Sequence, residues 1–266
     1  SWINQAGLPT APYLPVLAAA DLDGDLTPYL PGILKTARLG YDGKGQVRVD
    51  TADQARAAYA ELGDIACVLE KRLTLALEVS VIVTRSHPAQ MAVFPVAENQ
   101  HAHGILDVSI VPARIDPALA TQAQNMAKQL AETLNYIGVL AVEFFVLADN
   151  ALVVNEIAPR PHNSGHYTLD ACLTDQFQQQ VRALCGLLPG KTDLLSPVVM
   201  VNLLGDVWPS TGGEPHWDVL MEAPNAHLHL YGKQHARPAR KMGHFTVQGT
   251  SLPALLEQVE ALKETL

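Results

Sequence analysis

The sequence predicts an α+β fold, two α+β subdomains followed by a small β-rich C-terminal region. Three observations carry that expectation. At 266 residues and 48% apolar, the chain can bury a core as one large domain or as two or three subdomains. Stretches that alternate apolar and polar residues are interspersed with amphipathic stretches of helical period. From Lys191 onward, short strand-like runs are separated by Pro and Gly turns.

The segment "LPTAPYLPV" (Leu8–Val16) is proline-rich and reads as extended, so residues 1–15 are expected as a lead-in. Pro31–Lys35 and Gln46–Val49 read as strands joined by a glycine loop, Thr51–Gly63 has helical composition, and Ile65–Lys71 reads as a further strand. These make a small subdomain over residues 16–72. "LALEVSVIVTR" and "AQMAVFPVAEN" both alternate as strands and precede an amphipathic helix around Pro117–Leu134. "VLAVEFFVL" and "ALVVNEIAP" form a hairpin across Ala148–Asn150. A polar loop, Arg160–His166, then leads into a helix from about Leu169 to Cys185 that ends at Gly186. The core subdomain is thus expected over residues 73–190. Residues 191–266 form the β-rich region and close on a helix, Leu252–Leu266.

A net charge of -9 and a pI near 5.5 argue against a nucleic-acid or membrane-surface binder, since both need a basic field. Small ligands are expected instead. No apolar run reaches the ~18 residues of a membrane-spanning helix. The first residues lack a signal peptide's charged start and apolar core, so a cytoplasmic protein is expected. Cys67, Cys172 and Cys185 have neither CxxC spacing nor an even count, and all three read as small buried apolar residues.

Several short stretches bear chemistry. "GILKTARLGYDGKGQVRV" sets Lys35 at the base of a G-x-x-G-x-G loop between two strands. It matches neither the dinucleotide fingerprint nor the P-loop, and reads as a mobile lid with a cation for phosphate oxygens, or as a plain loose hairpin. Glu143 lies across the hairpin from Asn155 or Glu156, where cross-strand Cβ atoms are ~5 Å apart. Two ionised carboxylates that close repel unless one is protonated or a cation lies between them. Glu, Glu and Asn suit Mg²⁺, the alternative being two solvated glutamates on a hairpin edge. "APRPHNSGH" follows at once, and its Arg160, His162 and Asn163 can clamp a planar anion, a reading that adjacency to the carboxylates favours over a polar surface loop. "YGKQHARPARKMGH" concentrates Lys and Arg in an acidic chain, which fits an anionic ligand or a solvated basic turn. "HLHLYG" puts His227 and His229 on one strand face, yet no third metal ligand accompanies them, and ordinary core or surface histidines are the preferred reading.

Taken together, "LPTAPY", "ILKTARLGYDGKGQ", "LEKRLTLALEVSVIV", "ENQHAHGIL", "GVLAVEFFV", "NEIAPRPHNSGH" and "RPARKMGHFTV" resemble the ATP-grasp superfamily. Within it the chain is most similar to the N5-carboxyaminoimidazole ribonucleotide synthetase family. The resemblance implies an ATP-grasp fold with ATP between two α+β subdomains. It also implies a reaction in which ATP phosphorylates bicarbonate to carboxyphosphate, whose CO₂ is captured by the amine of aminoimidazole ribonucleotide.

Carried over by motif, Lys35 and the loop Gly40, Tyr41, Asp42, Gly43, Lys44, Gly45 and Gln46 would cover the ATP phosphates. Glu70, Lys71, Arg72 and Leu73 would hold adenine, Glu78 the ribose, and His101 would line the nucleotide site. Glu143 and Glu156 would hold Mg²⁺ beside Asn155, and Arg160, His162 and Asn163 would hold bicarbonate and carboxyphosphate. Tyr41, Asp42 and Lys44 would meet the aminoimidazole ribonucleotide, with Lys233 and Arg240 on its phosphate and Asp42 as proton acceptor. A homodimer is expected.

Two departures stand out. Ala239 replaces the glycine of the family's R-P-G-R-K motif, a mild change that leaves both arginines. Family members begin with a nucleotide-fold domain of roughly a hundred residues, and this sequence starts past it at "SWINQAGLPT", as a fragment or one chain of a split enzyme would. The rival readings are a formate-dependent glycinamide ribonucleotide transformylase, which usually has Asp-Thr-Gly where this chain has "HNSGH", and an ATP-binding module without turnover. Biotin carboxylase fits less well, since nothing resembles its "QVEH" segment.

Overall fold

The computed structural model describes residues 2–38, 45–209 and 212–266. The chain divides into two compact units, residues 1–76 with 147–155, and residues 77–146 with 156–266.

The first unit contains α1 (Trp2–Gln5), β1 (Tyr13–Val16), β2 (Gly32–Thr36), β3 (Gln46–Val49), α2 (Ala52–Glu61) and β4 (Cys67–Lys71). Its strands form an antiparallel sheet in the order β1-β4-β2-β3. Thr51 starts α2 by accepting a hydrogen bond from the Gln54 N–H, which satisfies one of the unpaired first-turn donors. Ala55, Ala58 and Tyr59 fall on one helix face and pack with Val16, Leu34, Val49 and Leu69. Gly32 is required where it stands, because a Cβ there would collide with the Tyr29 carbonyl.

The second unit follows with β5 (Leu75–His87), β6 (Gln90–Val93), β7 (Ala97–Ala102), β8 (Ile105–Val111), α3 (Pro117–Thr133), β9 (Gly138–Leu147) and β10 (Leu152–Ala158). Then come α4 (Thr168–Ala171), α5 (Gln176–Leu184), β11 (Val198–Leu204), α6 (Asp218–Glu222), β12 (Ala226–Leu230), β13 (Lys241–Gln248) and α7 (Leu252–Thr265). One nine-stranded sheet runs β10-β9-β5-β7-β8-β11-β13-β12, with β6 beside β5. The C-terminal strands therefore extend the sheet that β5 to β10 begin.

Alternate residues of each strand point to opposite faces. Val199, Val201, Phe245 and Val247 pack on one side with Leu255, Val259 and Leu262 of α7. Val198 and Met200 pack on the other with Ile82, Val139, Ala141 and Tyr167. That second face turns polar along a row of directly opposed residues, Glu78, Asn99, Ser109, Met200, Thr246 and His227.

Three expectations need correction. "AQMAVFPVAEN" is two strands, because it breaks around Pro95, which has no N–H for a ladder. The helix expected over 169–185 is α4 and α5. Asp175 starts α5 afresh by accepting from the Phe177 and Gln178 N–H groups. Cys67 and Cys172 are buried, but Cys185 is exposed at the end of α5. Among the described residues, no helix is long and apolar enough to cross a membrane.

Candidate active site

Within the second unit, Glu143 sits mid-strand in β9 between buried Val142 and Phe144. Its carboxylate Oε1 is 3.1 Å from Nε2 of His162, and the two side chains are 18% and 15% exposed. Burial, followed by the charge of Glu156, pushes Glu143 up to about 7, while His101 and Lys241 act in the opposite direction. His162 goes the other way, down to about 3, because burial and then the positive charges of Arg160 and Lys241 disfavour its imidazolium. The ring is therefore neutral. Its Nδ1 accepts from the Ser164 N–H at 3.3 Å, so the ring proton is on Nε2, facing Glu143.

The loop after β10 is held from beneath by Gln176, which is wholly buried. Its amide receives the His162 N–H at 2.8 Å, donates to the His162 carbonyl at 2.8 Å, and donates to His166 Nδ1 at 2.9 Å. Nothing in the sequence singles Gln176 out beyond its place after the helix cap Asp175. Arg160 is exposed and donates to the Pro161 carbonyl at 3.0 Å. The amide oxygen and nitrogen of Asn163 are buried and have no partner among the described residues. Such groups normally find one.

Glu78 and His101 join the same unit, 3.3 Å apart. Burial lowers the His101 pKa, but the hydrogen bond that the ring donates to Glu78, with the Glu78 and Glu143 charges, prevails and raises it. Glu156 is exposed on β10, and half-buried Asn155 precedes it.

In the first unit, Lys35 Nζ lies 2.8 Å from Glu70 Oε1, near the open end of β2. Gln46 is directly across from Lys35. Gly45 has a φ of +71°, and a Cβ there would meet Thr36 Oγ1 at 2.6 Å, so the chain needs glycine where it leaves the loop. Lys71 ends β4, Arg72 reaches Asp50 at 3.4 Å, and Leu73 is half-buried. Gly40, Tyr41, Asp42, Gly43 and Lys44 lie outside the described residues.

The basic stretch before β13 is a tight turn. Gly205 N–H donates to the Arg240 carbonyl at 2.8 Å, and a Cβ on Gly205 would collide with the Arg237 backbone. Asp206 accepts from the Ala239 N–H at 2.7 Å. Ala239 has a φ of +64°, in the left-handed region that glycine occupies freely and L-residues do not, so it is more than a mild replacement. Arg240 donates to the His235 carbonyl at 2.7 Å, while Lys233 donates to the Lys241 carbonyl and sits 5.6 Å above the Tyr231 ring.

His229 does have company that its sequence neighbours do not reveal. Its Nε2 lies 3.0 Å from both carboxylate oxygens of Asp170, and its ring stacks on His244, with centroids 4.6 Å apart. His227 is exposed and takes no part in that group.

Comparison with known proteins adds to this geometry. The family model described as the ATP-grasp domain matches residues 1–177, and that described as the phosphoribosylaminoimidazole carboxylase C-terminal domain matches residues 198–258. An N5-carboxyaminoimidazole ribonucleotide synthase of Bacillus subtilis is 48% identical over 245 residues, which is 92% of this chain and 63% of the relative. The solved ADP complex of an N5-carboxyaminoimidazole ribonucleotide synthetase is 45% identical, with a TM-score of 0.86 over 98% of this chain and 68% of that one. An Aspergillus clavatus synthase solved with ADP and 5-aminoimidazole ribonucleotide is 30% identical, with a TM-score of 0.87 over 99% of this chain and 70% of that one. The chain thus spans about two thirds of the length of these relatives. By these matches the chain belongs to the ATP-grasp family, in the group that contains the N5-carboxyaminoimidazole ribonucleotide synthases.

Proposed function

We propose that the protein to which this chain belongs carboxylates 5-aminoimidazole ribonucleotide to its N5-carboxy derivative, using ATP and bicarbonate through carboxyphosphate. The observation that carries this reading is the 3.1 Å contact between His162 and Glu143, which ties the anion-clamping loop to the carboxylate pair. That contact sets a loop side chain beside a carboxylate proposed for Mg²⁺.

Lys35, Gly40 to Gln46, Glu70 to Leu73, Glu78 and His101 are the groups proposed for ATP. Glu143 and Glu156 would hold Mg²⁺, which supplies charge neutralisation at the phosphates when bound. The donor set fits. Glu156 raises the pKa of buried Glu143, so a nearby cation favours its ionised form. Arg160 would grip bicarbonate through its guanidinium fork, and the unpaired amide of Asn163 has hydrogen-bonding capacity for a further anion oxygen. His162 donates rather than charges, so it steers Glu143 without adding a cation to the pocket. Lys233 and Arg240 are proposed for the ribonucleotide phosphate, and Tyr41, Asp42 and Lys44 for the rest of that substrate, with Asp42 accepting the amine proton.

The acidic composition and small-molecule substrates support work in the cytoplasm without nucleic-acid or membrane partners. The expected homodimer has apolar surface available in the exposed Phe177, Val181 and Leu184 of α5. The test is phosphate release by the intact protein with each substrate omitted in turn. Release should need both bicarbonate and aminoimidazole ribonucleotide. Release that responds instead to formate or glycinamide ribonucleotide would assign the protein to the transformylase branch.

A further inference from the structure

Behind His162 runs a file of buried polar side chains to which the proposed function assigns no substrate. Ser109 Oγ donates to Asn99 Oδ1 at 2.8 Å, Asn99 Nδ2 donates to Ser80 Oγ at 2.9 Å, and Ser80 Oγ donates to Ser164 Oγ at 2.8 Å. Ser164 Oγ in turn is 3.0 Å from His162 Nδ1. The four residues come from β7, β8, β5 and the loop after β10, and none is more than 5% exposed.

The direction of this file is fixed at both ends. At the near end the Ser164 N–H, which can only donate, already points at Nδ1. At the far end the Asn99 amide presents its oxygen to Ser109 and its NH₂ to Ser80. An amide NH₂ has no lone pair to offer, so Ser80 Oγ must accept there and spend its own proton on Ser164. The Ser164 hydroxyl proton is then free only toward His162 Nδ1. Each of the three hydroxyl protons then has one place to go, and the last one meets a nitrogen that must be unprotonated.

We propose that Ser109, Asn99, Ser80 and Ser164 are positioning residues that hold His162 as the Nε2–H tautomer aimed at Glu143. Its catalytic meaning rests on the function proposed above; the tautomer itself does not. The backbone bond to Nδ1 is long at 3.3 Å, and bonds of that length are weak. The Ser164 hydroxyl supplies the shorter of the two contacts, and the buried chain behind it keeps that hydroxyl from rotating away. A ring that changed tautomer would present a lone pair to the Glu143 carboxylate, which repels it, and one that flipped would present a C–H in place of the donor.

Nitrogen-15 NMR of the intact protein labelled at histidine tests this without any substrate, with His162 identified by the loss of its signals in His162→Gln. The expected spectrum has an unprotonated Nδ1 and a protonated Nε2 for His162. In Ser164→Ala the two signals should move toward each other as the tautomers mix. Carboxylation should lose about tenfold in kcat, as outer-shell partners of a site typically cost, with KM for ATP unchanged. Ser109→Ala, at the remote end, should move the same two signals in the same direction but less. A wild-type ring with its proton on Nδ1 overturns the proposal, whatever the variants do. So does a folded Ser164→Ala that leaves both the nitrogen signals and kcat where they were. If the NMR result holds while the protein proves inactive with bicarbonate and aminoimidazole ribonucleotide, the functional reading fails and the positioning role stands.

Discussion

Replacing Ala239 by glycine should make this protein more stable, contrary to the usual effect of a new glycine. Ala239 holds a φ of +64° in the turn before β13, with its N–H bound to Asp206 and the following carbonyl bound by Gly205. Those bonds fix the backbone there regardless of side chain. An L-residue in the left-handed region costs ~1–2 kcal/mol, from the clash of Cβ with the following carbonyl. Glycine removes that cost but gives back ~0.4–1 kcal/mol through a freer unfolded chain. The balance is a gain of about 0.5–1 kcal/mol. Urea unfolding of Ala239→Gly should show a higher midpoint at an unchanged slope, and Tm should rise by ~1–4 °C for a chain this size. A lower midpoint, or none of the rise, would show that the turn carries no backbone strain and that the argument from φ is wrong. Because the same turn presents Arg240, the variant should also leave the proposed ribonucleotide phosphate contacts in place.

Glu98 should support stability at neutral pH and lose it in acid. Burial raises its carboxyl pKa, but the hydrogen bonds and charge of Arg114 prevail and hold it below the usual value. A group depressed in the folded state stabilises above its unfolded pKa and loses that contribution as pH falls through the folded one. Unfolding titrations should therefore show less acid sensitivity in Glu98→Gln than in the parent. A thiol reagent should modify one cysteine quickly in the native protein, the exposed Cys185. Cys67 is buried and the Cys172 thiol is pushed up to about 12 by burial, so two or three fast thiols would contradict the packing. Arg160→Lys should cut kcat on the order of 10²-fold with a smaller effect on ATP affinity, because an ammonium cannot reproduce a bidentate guanidinium. Equal losses in both would mean that Arg160 serves the nucleotide instead.

Local chemistry made much of this molecule legible. Strand alternation located β2, β3, β5, β9 and β10, the Thr51 cap and apolar spacing located α2, and the short turn at Ala148–Asn150 set Glu143 against the end of β10. The carboxylate pair and the loop after it were readable because all their determinants lie within some twenty-five residues of each other. What the tertiary structure decided lies across long separations. Ser80 and Ser164 are 84 positions apart, and Asp170 and His229 are 59 apart, yet each pair is in hydrogen-bond contact. Such contacts leave no periodic trace, because a serine or histidine that will be buried against a distant strand looks like any surface serine or histidine. Helix α5 shows the same limit from the other side. Its buried positions include Gln176 and Gln179, while Phe177, Val181 and Leu184 face outward. The apolar period alone would have turned the helix around. The glutamines are inside because they satisfy loop backbone groups, the His162 N–H and carbonyl and the Gly190 N–H and carbonyl.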